Sequence, residues 1–167
     1  MVEMSKKRFK TLALGGTFDI LHKGHEKTLM EAFSLSEKVL IGLSTDSLVK
    51  SMGKGHEVNP YEERKKALES FLHERGLDGR FEISPISHRW GLAHKLKDLD
   101  AIMVSRETYP IAVEINRFRE EKGLKKLEVV VLEKLLAENG KPISSTRIRK
   151  GEISRDGKVL KKPKQED

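Results

Sequence analysis

A chain of 167 residues, 37% hydrophobic and 35% charged, carries enough apolar material for one buried core and suits a single domain. It holds no cysteine, which excludes disulfides and thiolate metal sites, and no apolar run approaches the ~20 residues that cross a bilayer. The formal charge of +7 gathers at the ends, with four Lys/Arg against one acid in residues 1–10 and eight against four in residues 147–167. The body between is neutral, unlike the charged face of a nucleic-acid binder, so neither nucleic acid nor membrane is expected as a partner. A start without the apolar core of a signal peptide reads as cytoplasmic.

Five short apolar runs, residues 9–14, 39–43, 81–86, 101–104 and 129–132, read as strands covered on both faces. Between them the spacing predicts helices over 25–36, 59–75, 91–99, 110–122 and 144–150. The second is the clearest: Asn59 caps it, Pro60 takes the first helical position, Glu62 and Glu63 fill the first turn, and Gly76 stops it. Its apolar stripe is Tyr61, Leu68, Phe71 and Leu72. Alternation of strand and helix argues for an α/β fold, a doubly wound five-stranded parallel sheet with right-handed crossovers. Ligands of such sheets lie beyond the carboxyl ends of the strands where strand order reverses, so the loops after the first, fourth and fifth strands should meet. Residues 1–153 are expected to form the domain, and residues 154–167 a basic polar tail.

The first of those loops carries Gly15-Gly16-Thr17-Phe18-Asp19 and, three residues on, His22-Lys23-Gly24-His25. Glycines admit a ligand close to the backbone, and the helix that follows is expected to offer unpaired amides to a phosphate. A metal site built on two imidazoles and Asp19 would be an incomplete ligand set. The loop after the fourth strand holds Ser105, Arg106, Glu107 and Thr108, and the last loop holds Ser144-Ser145-Thr146-Arg147, hydroxyls and a cation at another helix start. No Gly-x-x-x-x-Gly-Lys-Ser/Thr is present, and no Gly-x-Gly-x-x-Gly follows the first strand, which disfavours a Walker-type kinase and a dinucleotide-dependent dehydrogenase.

Gly16-Thr17-Phe18-Asp19 with His22-x-Gly24-His25, and Ile143-Ser144-Ser145-Thr146-Arg147-Ile148-Arg149 near the other end, resemble the two signatures of the nucleotidyltransferase superfamily that transfers NMP groups from NTPs. Ser105-Arg106-Glu107-Thr108-Tyr109, Asn116-Arg117-Phe118-Arg119, Lys50 and Pro60-Tyr61-Glu62-Glu63-Arg64 narrow the resemblance to the phosphopantetheine adenylyltransferases of archaea and eukaryotes. The common bacterial form has Thr where His22 stands. The resemblance implies a Rossmann-like fold and transfer of AMP from ATP to 4′-phosphopantetheine in coenzyme A biosynthesis, with Mg²⁺ arriving on the ATP. Related transferases acting on nicotinamide mononucleotide, flavin mononucleotide or a polyol phosphate are the alternatives.

The resemblance also implies roles. His22 and His25 would be catalytic, His22 at the α-phosphate and His25 on the triphosphate chain. Gly16, Thr17, Phe18, Arg106, Glu107, Ser144, Ser145, Thr146 and Arg147 would join them in binding ATP. Thr17, Arg106 and either Lys50 or Lys54 would hold the acceptor phosphate. An attacking phosphate monoester has a second pKa of roughly 6 and is already mostly dianionic at neutral pH, so no general base is needed. The site must align two anions and stabilise the charge that develops between them. His56, His73, His88 and His94 are expected at the surface, and Trp90 in packing.

Overall fold

The computed structural model describes residues 7–53, 57–133 and 136–160. The elements run β1 (Phe9–Gly16), α1 (Lys23–Leu35), β2 (Ser36–Ser44), α2 (Asp46–Ser51), α3 (Tyr61–Glu74), β3 (Phe81–Ile86), β4 (Ala101–Val104), α4 (Tyr109–Glu121), β5 (Glu128–Val131) and α5 (Ser145–Arg149). All five strands are parallel, in the order β3-β2-β1-β4-β5. Strand order therefore reverses between β1 and β4, and the expected doubly wound α/β sheet is the observed one.

Successive strand residues face opposite sides of the sheet, and the core divides accordingly. Leu12, Leu14, Ile41 and Leu43 pack with Leu29 and Phe33 of α1 and Leu68 and Leu72 of α3. On the other face Ala13, Leu40, Ile102 and Val104 meet Ala112 and Ile115 of α4. Burial of each Leu or Ile contributes about 1.5–3 kcal/mol, so both layers are needed to hold the sheet.

Three features differ from the pattern. Helix α3 begins at Tyr61 with Pro60 as its N-cap and no side-chain cap bond, because the Asn59 side chain is taken by Arg149 in place of the helix amides. Helix α2 is six residues long, capped by the Thr45 hydroxyl, which accepts from the Leu48 amide at 3.2 Å. Residues 91–99 form turns instead of the helix their apolar spacing predicts. The Ala93 carbonyl, which a helix would use internally, accepts from the Arg119 guanidinium at 2.9 Å, and the Leu96 carbonyl accepts from it at 2.8 Å as well as from the Leu99 amide.

Residues 154–160, read as the beginning of a tail, fold back onto the body. Ile153 is fully buried in a small cluster with Ala137 and Ile143, the Arg155 carbonyl accepts from the Lys23 amide, and the Gly157 carbonyl accepts from the Glu138 amide. Residues 161–167 lie outside the described residues. Among the described residues no helix is long and apolar enough to cross a membrane.

Candidate active site

The glycine turn after β1 is set by close packing. A Cβ on Gly16 would lie 2.9 Å from the Phe18 ring, so only glycine lets that ring fold under the strand end. Phe18 itself has φ +49°, and it is the single described non-glycine residue with positive φ. The left-handed conformation costs roughly 1–2 kcal/mol, offset here by burying the ring beside His25, with centroids 5.0 Å apart. The sharp turn sends Asp19 inward, where its side chain is almost wholly buried.

Three arginines hold this turn or its surroundings through carboxylates and backbone carbonyls. Arg64, 1% exposed, donates to the carbonyls of Thr17 (2.9 Å) and Asn59 (2.7 Å) and pairs with Asp46 (3.0 Å). Arg149 grips Asp19 with two hydrogen bonds of 2.6 and 2.9 Å and also reaches Asn59. The planar fork suits such bidentate pairing. Since residues 19 and 149 belong to the first and last motifs, this pair straps the two motifs together. The Ser145 hydroxyl adds a second tie, bonding both the amide and the carbonyl of Ile20 at 3.1 Å. Arg147 instead serves its own loop, bound to Glu152 and to the carbonyls of Lys141 and Pro142.

His22 is the N-cap of α1. Its Nδ1 accepts from the amides of Gly24 (3.0 Å) and His25 (3.3 Å), while His25 Nδ1 accepts from the His22 amide (3.4 Å). The two rings stack, 3.7 Å apart and 19° from parallel. The remaining early amides of the helix are taken too, Lys23 by the Arg155 carbonyl and Glu26 by the His22 carbonyl. The helix start therefore does not present the unpaired amides expected from the sequence, because an imidazole and the folded-back C-terminal segment satisfy them. That changes the chemistry. With Nδ1 accepting, the neutral ring carries its proton on Nε2. Burial lowers the His22 pKa from 6.5 to about 4, so the ring is a neutral donor at physiological pH. The glycine of the motif follows from the same geometry, since a Cβ on Gly24 would stand 2.8 Å from His22 Cε1.

These groups line a cleft of about 330 Å³ where the loops after β1, β4 and β5 converge. Gly16, Thr17, Phe18, His22, His25, Ser144, Ser145 and Thr146 all border it, with Ser105 and Thr108 from the β4 loop. Arg106 is exposed at 79% of its side chain and pairs with Glu133, a residue of the cleft wall, at 3.0 Å. Glu107 and Arg147 border neither this cleft nor the larger cavity described next. Lys50 is exposed on α2 and also borders neither, and Lys54 lies outside the described residues.

A second cavity of about 630 Å³ opens on the other side of the glycine turn. The two share Leu14, Gly15, Gly16, Thr17, Met103, Val104 and Thr108. Its lining is largely apolar, including Leu40, Ile86, Trp90, Leu96 and Ile115. Sequence reasoning did not find this cavity, nor the roles of Arg64 and Arg149. His94, expected at the surface, is buried against Trp90 and Phe118. Burial first, then Lys95 and His88, lowers its pKa.

Residues 13–151 match the family described as cytidylyltransferase-like. The chain is 47% identical over 153 residues to a phosphopantetheine adenylyltransferase of Methanosarcina barkeri, covering 90% of this chain and 92% of the relative. It is 44% identical to that of Methanopyrus kandleri, covering 87% and 92%. Among solved structures, a protein of unknown function from Archaeoglobus fulgidus superposes with a TM-score of 0.66 at 29% identity, covering 80% of this chain and 99% of that one. The chain thus belongs to the cytidylyltransferase-like nucleotidyltransferases and, within them, to the phosphopantetheine adenylyltransferase family.

Proposed function

We propose that this chain transfers AMP from ATP to 4′-phosphopantetheine. An oxygen of the acceptor phosphate attacks the α-phosphorus of ATP. The bond from that phosphorus to the β-phosphate oxygen breaks, and pyrophosphate leaves as dephospho-coenzyme A forms. The observation that carries this reading is the pair of cavities meeting at Gly15, Gly16 and Thr17, one bordered by polar loops and one largely apolar. The triphosphate and adenosine fit the first, and the long pantetheine arm fits the second. The reacting phosphates then meet at the shared wall.

In this arrangement the His22 Nε2–H donates to an α-phosphate oxygen, a contact that strengthens as charge builds in the transition state. A neutral donor suits the task because its position is already fixed by the helix cap. His25, stacked on it, takes the neighbouring phosphate, and Thr17 serves both anions. Arg106, now paired with Glu133 at the cleft mouth, has the reach of an exposed side chain to exchange that partner for phosphate. Mg²⁺ enters on the triphosphate, the usual route for a cation that keeps several waters and takes phosphate oxygens. Asp19 does not serve as its ligand, since both carboxylate oxygens are held by Arg149.

The test is pyrophosphate release with Mg²⁺-ATP and 4′-phosphopantetheine, run beside nicotinamide mononucleotide, flavin mononucleotide, and glycerol 3-phosphate with CTP. Turnover with phosphopantetheine alone supports the proposal. Turnover with one of the other acceptors in its place overturns it.

A further inference from the structure

The wall of the larger cavity between β3 and β4 has no helix or strand of its own, and α4 holds it through two polar side chains and the Phe118 ring. Trp90, Gly91, Leu92, Ala93 and Leu96 all border the cavity from that segment. At its far end Arg119, fully buried, donates to the carbonyls of Ala93 and Leu96 and to that of Lys125. At its near end Glu114 accepts from the Trp90 indole N–H at 3.0 Å and pairs with Arg89 at 3.1 Å. One turn along α4 from Glu114, the Phe118 ring packs 5.4 Å from the Trp90 ring.

The two attachments differ in kind. Arg119 has no exposed surface, and its loss would leave the carbonyls of Ala93 and Lys125 without this donor, so it is part of the core. Glu114 is 41% exposed on its side chain, and its partners are the indole and a largely exposed arginine. It does not border the cavity, so it acts on that wall only through Trp90 and Arg89. We infer that Glu114 is a positioning residue that fixes Trp90 as a wall of the acceptor subsite and so sets the affinity for the acceptor. This rests on the reading that the larger cavity takes the pantetheine arm.

Trp90 is the single tryptophan of the chain, so its emission reports the wall directly. The experiment uses the full chain and two variants, Glu114→Ala and Glu114→Gln, with thermal unfolding as the control for folding. In the wild type, adding 4′-phosphopantetheine shifts the Trp90 emission and adding ATP alone does not. Glu114→Ala shifts that emission without ligand and raises the KM for phosphopantetheine roughly tenfold to a hundredfold, the range for one hydrogen bond to a charged group. The KM for ATP and kcat stay within about twofold. Glu114→Gln, whose amide oxygen still accepts from the indole, restores most of the acceptor KM because the exposed pair with Arg89 contributes little.

An unchanged acceptor KM in Glu114→Ala overturns the inference, as does an equal loss toward ATP and acceptor, or a Gln variant no better than Ala. If the wild type turns over phosphopantetheine without any change in Trp90 emission, the cavity assignment and the role of Glu114 both fail while the proposed reaction stands. If another acceptor is turned over instead, the proposed reaction fails. The KM split measured with that acceptor then decides the role of Glu114.

Discussion

Replacing His22 removes a helix cap and a phosphate donor together, and two variants separate them. In His22→Ala the amides of Gly24 and His25 lose the Nδ1 acceptor they share. A lost N-cap costs about 1 kcal/mol, so the variant folds but melts several degrees earlier. Asparagine is a good N-cap, and its short side chain places an oxygen near Nδ1 without reaching the position of Nε2. His22→Asn should therefore recover most of the lost stability. The donor role has a different scale. Loss of one preorganised donor to a developing oxyanion lowers kcat about 10²–10³-fold, or ~3–4 kcal/mol. Both variants should lose turnover by that amount, with the KM for ATP changing far less. The assays are urea unfolding and steady-state pyrophosphate release. If His22→Asn regains wild-type turnover along with its stability, His22 acts only as a cap and the donor assignment is wrong.

Three further outcomes follow from the same geometry. Gly24→Ala favours the helix by about 1 kcal/mol yet sets a Cβ against the His22 ring, so kcat should fall up to about a hundredfold in a protein that melts no lower; retained turnover would show that the ring position is not critical. The buried His22 resists a proton that the unfolded chain takes up near pH 6.5. Its contribution to stability is thus complete above that pH and is lost as pH falls toward 4, up to about 3 kcal/mol, while turnover shows no His22 titration between pH 6 and 9. Urea unfolding and pH–rate profiles check both halves. Arg149→Met strips the buried Asp19 carboxylate of its guanidinium and should destabilise by roughly 3–5 kcal/mol; adding Asp19→Asn should restore part of that, and strict additivity in the double-mutant cycle would refute the strap.

The strands were legible because sheets covered on both faces leave near-continuous apolar runs, and the reversal of strand order brought the loops together as the alternation implied. The helix over 91–99 was not, because Leu92, Leu96 and Leu99 mimic a helical stripe while the deciding partner, Arg119, lies some twenty residues on. Arg64 left a readable sign, since it falls on the same face of α3 as Leu68 and Leu72, where a charge has to be buried and paired. Arg119 left the same sign beside Ala112 and Ile115 on α4. Arg149 left none: it stands two residues past Arg147 in one basic helix, and only the fold places Asp19 beside it. The cap formed by His22 was hidden for a chemical reason. A histidine in this motif suggests charge, whereas its buried Nδ1 acts as an acceptor.

The most direct test of the whole account is a crystal structure with dephospho-coenzyme A, the product that would fill both cavities at once. The account predicts the adenosine in the cleft between the first and last motifs, the diphosphate over Gly16 and Thr17 within hydrogen-bonding distance of His22 Nε2, and the pantetheine arm along Ile86, Trp90 and Leu96. An adenosine lodged in the Trp90 cavity, or a diphosphate out of reach of His22, would contradict it.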